Sequence, residues 1–524
     1  MRALLLSLVL MAQTAAAVEV SEAEKNRVAE LLEMQSLVEA GRLLDALVAK
    51  APEDPDVLAL KGYHAFLLGR YADAVTSLSR AQKERPSDKR IDASLDLAKR
   101  TREVTKKHKT VPTSRGHFVL SFLPGVDEAL VPYADEALER AYDALGEVFR
   151  VRPEAPVRVE IYPRVQNLAD VSPLKLSEIE ASGTIALCKY NRLMIVSPRA
   201  LVYGYPWLDT LAHEYTHYLV TLRSKNTVPI WLHEGFAKYF ESRWRDEAAP
   251  SLAPTSEDLL AAAVKNGKLI PFEKMSPSMA KLPTQEDTSL AFAEVFMAME
   301  FLYLKGGGGP VTGAGAVNAL IDGMAEGRTD RQAIEAVTGK SFARFQDDWR
   351  AYLGARRLKT LPTHAQSRLL FRERTRAQDE LKDLPEEETR QLVHLGDLLF
   401  MKGHFRAAAK EYEKGLKRAG GPNPIVSAKL ASSLLKQGRH QRVREVVTPA
   451  LALNSTHVLL YLYRGKATLA LGDAAAASRD LEAAIGLNPF DPDVHALYAE
   501  ALDKLGRSAE AERERRIQRL VRSE

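Results

Sequence analysis

The chain has 524 residues, a formal net charge of +4 with 27% charged residues, and a single cysteine. Its length suggests about three domains. The near-balanced charge, without basic residues interleaved with aromatic ones, argues against a nucleic-acid partner. Cys188 stands alone, which excludes an intrachain disulfide, and it lies in a predicted strand without a pairing motif, which makes it a poor nucleophile.

The N-terminal segment 1–17 predicts a secretory signal peptide. One arginine precedes a short apolar run, and small residues stand before Val18. The run is too short for a comfortable membrane span, and no second stretch of this kind follows. We therefore expect an exported protein, periplasmic or secreted, with no transmembrane span after signal cleavage. The cleavage site has no cysteine after it, which excludes a lipid anchor there.

Residues 18–103 predict helical repeats. Gly62, Gly69 and Ala74 follow the spacing of a helix–turn–helix unit of the tetratricopeptide kind. Residues 25–54 indicate a weaker preceding unit, and an ordinary helical pair is the alternative interpretation. The Lys-, Thr-, Pro- and Ser-rich segment that follows, 104–115, is predicted to be a linker.

The middle of the chain, 116–357, changes in character and predicts one α+β domain. Strand-like alternation and helical periodicity both occur there. The predicted strands are His117–Phe122, Val157–Tyr162 and a strand pair within Gly183–Ser197; a helix is predicted over Asp127–Phe149, and helices dominate after the strand pair. A linker or helix is expected at 358–387.

The C-terminal segment 388–520 shows a repeat with spacings of 35, 34 and 34 residues between helix-breaking glycines, at Gly403, Gly438, Gly472 and Gly506. A small residue precedes each glycine by seven positions, at Gly396, Ala431, Gly465 and Ala499. This pattern resembles four tetratricopeptide units, the second degenerate. Such repeats form surfaces for a protein partner; a rigid collar that packs against the middle domain is the alternative. The predicted fold class is thus multidomain, with the α+β domain between all-α solenoids.

The most informative motif is His213-Glu-Tyr-Thr-His217. Histidines four residues apart lie on one helix face and can bind one metal ion, with Glu214 beside it as a general base. The helix is predicted to begin after Pro206 and to carry its apolar stripe roughly opposite the histidines. We therefore expect them to lie off the core; two histidines with purely structural contacts are the alternative.

A second helix is predicted to follow Pro229 and to provide a third ligand. Zinc requires a third protein ligand and keeps one position open in catalytic sites. Glu234 is the candidate, since the 17 positions after His217 leave room for a loop and a returning helix. Gly235 would allow close helix packing beside the metal.

Together, His213-Glu-x-x-His217 and Trp231-Leu-x-Glu-Gly-x-Ala-x-Tyr239 resemble the gluzincin metallopeptidases, and specifically a bacterial group with a peptidase domain of the MA clan. The resemblance implies that His213, His217 and Glu234 bind Zn²⁺ and that Glu214 is the catalytic base. A metzincin is disfavoured, because Val220 and Arg223 occupy the positions where that group has glycine and histidine.

Two functions remain open. The first is a zinc metallopeptidase, an endopeptidase in that no exopeptidase motif precedes the helix. The resemblance to zinc peptidases implies a protein or peptide substrate that lies along a strand edge in Gly183–Ser197. The second is a tetratricopeptide scaffold with a weakly catalytic or non-catalytic zinc-binding domain. The intact motif favours the first. Phe292 slightly favours the second, because it stands where related families often place a tyrosine that stabilises the oxyanion.

The supporting residues are less well defined by the sequence. Asp209 could orient an imidazole, but its position in the first helical turn equally suits the helix dipole. His233 is expected to point away from the metal. Three tyrosines are candidates to replace the missing oxyanion tyrosine, and the sequence favours none of them: Tyr203, Tyr205 and Tyr239.

Overall fold

The computed structural model describes residues 20–245, 250–275, 278–361, 369–373, 379–384 and 386–522. The predicted signal peptide at 1–17 lies outside these ranges. The chain forms two compact units, Met1–Arg102 and Glu103–Glu524. Among the described helices, none combines the length and the apolar character that crossing a bilayer requires.

The first unit consists of paired helices. Gly62 permits one close approach, since a Cβ there would lie 2.6 Å from Leu78 Cγ. The turn of that pair uses Gly69 at φ 78°, whereas the preceding turn uses Gln35 at φ 59°. The absent glycine explains the weaker repeat signal of the first pair. The helices are α1 Glu22–Glu33, α2 Leu37–Lys50, α3 Pro55–Leu67, α4 Tyr71–Glu84 and α5 Lys89–Thr105.

The second unit begins with a five-stranded mixed sheet in the order β1-β2-β3-β5-β4. The central pairs β2–β3 and β3–β5 are parallel, and the two edge strands are antiparallel to their neighbours. Tyr190 and Asn191 join β4 to β5 at φ 58° and 55°, as a tight hairpin turn requires. The strands are β1 Lys109–Pro112, β2 Phe118–Phe122, β3 Val157–Tyr162, β4 Ala186–Lys189 and β5 Arg192–Val196.

The predicted linker at 104–115 is wrong in part, because it contains the end of α5 and all of β1. Thr110 and Val111 favour extended backbone. Pro112 is tolerated because β1 is an edge strand and needs fewer ladder hydrogen bonds.

Helices connect and cover the sheet. They are α6 Val131–Phe149, α7 Val165–Val171, α8 Leu176–Ser182, α9 Trp207–Ser224, α10 Ile230–Phe240, α11 Pro254–Asn266, α12 Gln285–Lys305, α13 Gly313–Ala325, α14 Asp330–Thr338 and α15 Phe342–Ala355. Helix α9 packs against β4, β5, α6, α10 and α13, and therefore occupies the centre of this domain.

Four helix pairs follow. The glycine in each pair's internal turn has a positive φ, from 70° at Gly438 to 90° at Gly472, which explains the repeated glycine. The helices are α16 Glu387–Met401, α17 Phe405–Arg418, α18 Pro424–Leu435, α19 His440–Leu453, α20 Val458–Ala470, α21 Ala474–Leu487, α22 Pro492–Lys504 and α23 Ser508–Arg522.

One continuous buried core extends from the sheet through α9 and α12 into the last two helix pairs, where it includes Leu481 and Leu502. The first two pairs have a largely separate core around Val393 and Leu434. In the expected linker 358–387, Phe371 forms a β-bridge with Leu201. The architecture confirms the predicted fold class: a small mixed sheet with helices between all-α repeats.

Candidate metal centre

Helix α9 carries the central motif and is buried on almost every side. It begins after Pro206 and ends at Lys225, which adopts a left-handed conformation. His213 is 8% exposed and Glu214 4% exposed. His217 is only partly buried, so the expectation that the histidines lie off the core is wrong for His213 alone. The apolar stripe is buried as predicted, but α10 covers the opposite face as well, and a central helix needs more than one buried side.

The three predicted metal ligands face one another. One oxygen of Glu234, Oε2, lies 3.3 Å from Nε2 of His213 and 3.3 Å from Nε2 of His217. All three donor atoms lie within 4.8 Å of one another. A tetrahedral ion with bonds of about 2.0–2.1 Å places its ligand atoms about 3.3 Å apart. These side chains thus fit a zinc-sized ion.

Charge and burial act together at these ligands. Burial alone would lower the pKa of His213, but its hydrogen bonds to Glu234 and Glu241 raise that pKa to about 10. Burial alone would raise the pKa of Glu234, but His217 and His213 hold it well below its usual range. Without a metal, these shifts favour a protonated His213 beside an ionised Glu234, and a metal cation would replace the proton of His213.

Glu214 lies beside the ligands, with one oxygen free. Its Oε2 is buried and has no hydrogen-bond partner among the described residues. The backbone N–H of Cys188, on edge strand β4, donates to the same carboxylate, while burial raises the pKa of Glu214. A buried polar atom without a partner is costly, so this oxygen is suited to a proton or a substrate group.

A carboxylate that the sequence analysis missed supports His213. Glu241 Oε2 lies 3.1 Å from His213 Nδ1, and its other oxygen accepts a 2.6 Å hydrogen bond from Lys238. Glu241 follows Glu234 by seven positions, about two helical turns, and stands directly after the last residue of α10. That spacing could have identified it.

Asp209 does not take this role. Its carboxylate accepts hydrogen bonds from Trp244 Nε1, at 3.0 Å, and from Arg245. Burial raises the pKa of Asp209 to about 6. It therefore fastens the start of α9 to the turn after α10 and does not orient an imidazole.

His233 turns toward the site, contrary to expectation. Its Nδ1 lies 2.6 Å from Nδ1 of His217, and its Nε2 lies 3.3 Å from Oγ1 of Thr221. Burial lowers the pKa of His233 to about 3, so the ring is neutral. Because α10 crosses α9 closely, adjacent residues of α10 can both reach His217.

The ring of Phe292, on α12, lies 6.1 Å from that of His213. The tyrosines proposed as substitutes make other contacts. Tyr239 packs against Phe296, Tyr203 against His457, and Tyr205 donates its hydroxyl to the carbonyl of Val196. Burial raises the pKa of the Tyr205 hydroxyl, and the nearby carboxylate of Glu214 raises it further.

Gly235 supports the site through packing. A Cβ at this position would lie 3.2 Å from the carbonyl oxygen of Val295 on α12. Glycine thus allows α10 and α12 to approach closely, as predicted, next to Glu234.

Comparison with known families agrees with this architecture. Residues 134–355 match the family model described as Peptidase MA superfamily. Residues 30–89, 394–447 and 462–515 match the tetratricopeptide repeat model. The chain therefore contains a Peptidase MA superfamily domain between tetratricopeptide repeats, and such repeats indicate protein binding. No curated protein matches the chain.

Solved structures resemble it only loosely. A structure titled MamA MSR-1 C2 is 18% identical, with a TM-score of 0.24, and the match covers 28% of this chain and 86% of that chain. Yeast Tom70 is 12% identical, with a TM-score of 0.24 and coverage of 94% and 84%. Cut9-Hcn1 is 12% identical, with a TM-score of 0.28 and coverage of 92% and 82%.

Proposed function

We propose that the chain is a zinc-dependent metallopeptidase of the gluzincin type, acting as an endopeptidase. The observation that carries the proposal is the position of Glu234 Oε2, 3.3 Å from the Nε2 atoms of His213 and His217. Two imidazoles and one carboxylate form the ligand set of many catalytic zinc sites. The Peptidase MA superfamily match supports the same chemistry.

The chain's own residues have distinct tasks in this proposal. His213, His217 and Glu234 hold the metal; when bound, zinc would acidify water and polarise the scissile carbonyl. Glu214 takes a proton from the attacking water at its free oxygen and delivers it to the leaving amine. Burial raises the pKa of Glu214, which makes it a stronger base than an exposed carboxylate.

The substrate is a protein or peptide that lies along the outer edge of β4. This strand is at the end of the sheet, and Cys188 within it donates a backbone hydrogen bond to Glu214. A peptide added to this edge by strand pairing would pass next to the base. The repeats would bind a protein partner, and the signal peptide would place the enzyme in the periplasm or the medium.

The alternative is a protein-binding scaffold whose peptidase domain holds zinc but scarcely cleaves. The position of Phe292 favours it, because a phenyl ring beside His213 cannot donate a hydrogen bond to an oxyanion.

The test compares the wild type with Glu214→Gln. Zinc content is measured by mass spectrometry, and cleavage is measured on a peptide library with chelator and with zinc restored. We expect equal zinc in both proteins and chelator-reversible cleavage by the wild type alone. Cleavage by purified Glu214→Gln would disprove the assigned base. A zinc-loaded wild type without cleavage would support the scaffold, and a wild type that binds no zinc would remove both functions.

A further inference from the structure

His217, one of the proposed zinc ligands, contacts a second histidine, His233. The Nε2 atom of His217 faces Glu234 Oε2 at 3.3 Å and is therefore the nitrogen directed at the metal position. The opposite nitrogen, Nδ1, lies 2.6 Å from Nδ1 of His233. Two nitrogens at this separation must share one hydrogen.

We infer that His233 is a positioning residue that fixes the ring orientation and the tautomer of His217. The inference rests on the metal site proposed above. A metal takes the lone pair of Nε2, so neutral His217 carries its hydrogen on Nδ1. That N–H donates to the lone pair on Nδ1 of His233. His233 then carries its own hydrogen on Nε2, directed at Thr221 Oγ1 at 3.3 Å.

The residues that continue this chain of hydrogen bonds from His217 are buried. His233 is 8% exposed and Thr221 is 7% exposed. Thr221 lies one helical turn after His217 on α9, and His233 directly precedes Glu234 on α10. Helix α10 therefore provides one metal ligand and also orients another, which ties the ligand geometry to the crossing of the two helices.

The two ligand histidines thus have chemically different partners. His213 contacts a carboxylate, Glu241, at 3.1 Å. His217 contacts a neutral ring, which accepts a hydrogen bond without adding negative charge. Loss of His233 would leave a partly buried N–H of His217 without an acceptor, which is costly and favours rotation of the ring.

The experiment compares His233→Leu with His233→Asn. Leucine fills the space without an acceptor, whereas the side-chain oxygen of asparagine branches where Nδ1 does. Zn²⁺ affinity is measured by competition with a chromophoric chelator. We expect His233→Leu to lose affinity by about 10–100-fold and His233→Asn to retain most of it. The absorption spectrum of bound Co²⁺ should change in the leucine variant and stay close to that of the wild type in the asparagine variant.

Circular dichroism and thermal unfolding of the metal-free proteins verify that each variant is folded. Wild-type affinity in His233→Leu would overturn the inference, and so would an equal loss in both variants, which would indicate ring packing instead of a hydrogen bond. If the leucine variant does not fold, nitrogen NMR of the zinc-loaded wild type decides, since an Nδ1–H tautomer of His233 contradicts the inference. A wild type that binds neither Zn²⁺ nor Co²⁺ would remove the proposed function itself.

Discussion

The indole Nε1–H of Trp207, the first residue of α9, donates a 3.0 Å hydrogen bond to the backbone carbonyl of Ile485 in α21. The backbone N–H of Tyr205 donates to the carbonyl of Leu487, also at 3.0 Å. Carbonyls in the last turn of a helix have no partner within it. The segment that leads into α9 thus provides donors for the carbonyls at the end of α21, in the third C-terminal repeat.

This relationship bears on the role of the repeats. The helices α20 to α23 share a continuous core with the peptidase domain, whereas the first two C-terminal pairs have a largely separate one. The contacts therefore support a packing role for the third and fourth repeats. We infer that they help to set the position of α9.

The first prediction concerns Gly204, just before this segment. Gly204 has φ +71°, and a Cβ there would lie 2.1 Å from the carbonyl oxygen of Leu487. Gly204→Ala should reduce the free energy of unfolding by more than about 3 kcal/mol, through backbone strain and displacement of the repeat. Urea unfolding followed by circular dichroism measures it.

The matched control is Gly267→Ala. Gly267 has φ +64°, but a Cβ there would meet nothing within 4 Å. Gly267→Ala should reduce the free energy of unfolding by only about 1–2 kcal/mol, the cost of a non-glycine residue in the left-handed conformation. Equal losses in the two variants would show that the contact with Leu487 contributes nothing.

The second prediction concerns the different roles of two carboxylates near the candidate metal centre. Glu241 contacts His213, whereas Asp209 contacts Trp244 and Arg245. Glu241→Ala should weaken Zn²⁺ binding by about 10–100-fold because His213 loses its orienting partner. Asp209→Ala should keep an affinity close to that of the wild type. Chelator competition on folded protein checks both, and the opposite ranking would reverse the two assignments.

The third prediction concerns pH and stability. Burial raises the pKa of Glu294 from 4.5 to about 8. One oxygen accepts a 2.8 Å hydrogen bond from the N–H of Ile270, and Oε2 has no partner among the described residues. Between pH 4.5 and about pH 8, Glu294 holds a proton in the folded chain and releases it in the unfolded chain. Rising pH therefore destabilises the fold in this range.

Glu294→Gln removes this titration. We expect the variant to match the wild type near pH 5 and to unfold at a higher temperature than the wild type near pH 8.5. The difference in the free energy of unfolding should be on the order of 4 kcal/mol, from about 1.4 kcal/mol per pKa unit. Thermal unfolding at the two pH values measures it, and parallel pH profiles would contradict the raised pKa.

Local sequence patterns were sufficient to predict much of the fold and of the candidate site. Histidines at positions 213 and 217 share a helix face because of the 3.6-residue period, whatever surrounds the helix. The hairpin at Tyr190 and Asn191 and the glycine at each repeat turn are likewise dictated by backbone geometry over a few residues. The linker prediction for 104–115 failed because pairing with β2 stabilises a strand there, and such pairing depends on a neighbour distant in sequence.

The supporting contacts of the site could not be obtained in this way. The sequence predicts that His233 points away from the metal. It also offers Asp209 for the contact with an imidazole that Glu241 makes in the structure. Both outcomes depend on how α10 crosses α9, and helix crossing is set by side-chain packing between segments distant in sequence.

The sequence by itself determined the fold class and the kinds of element, because periodicity, glycine placement and motif spacing act over a few residues. It also indicated three candidate metal ligands, His213, His217 and Glu234, and one candidate base, Glu214. Only the tertiary structure decided that Glu234 Oε2 lies between two imidazoles, that Glu241 and His233 contact them, and that the segment leading into α9 caps the end of α21 in the third repeat. Those distances follow from close packing of a shared core, which no local pattern encodes.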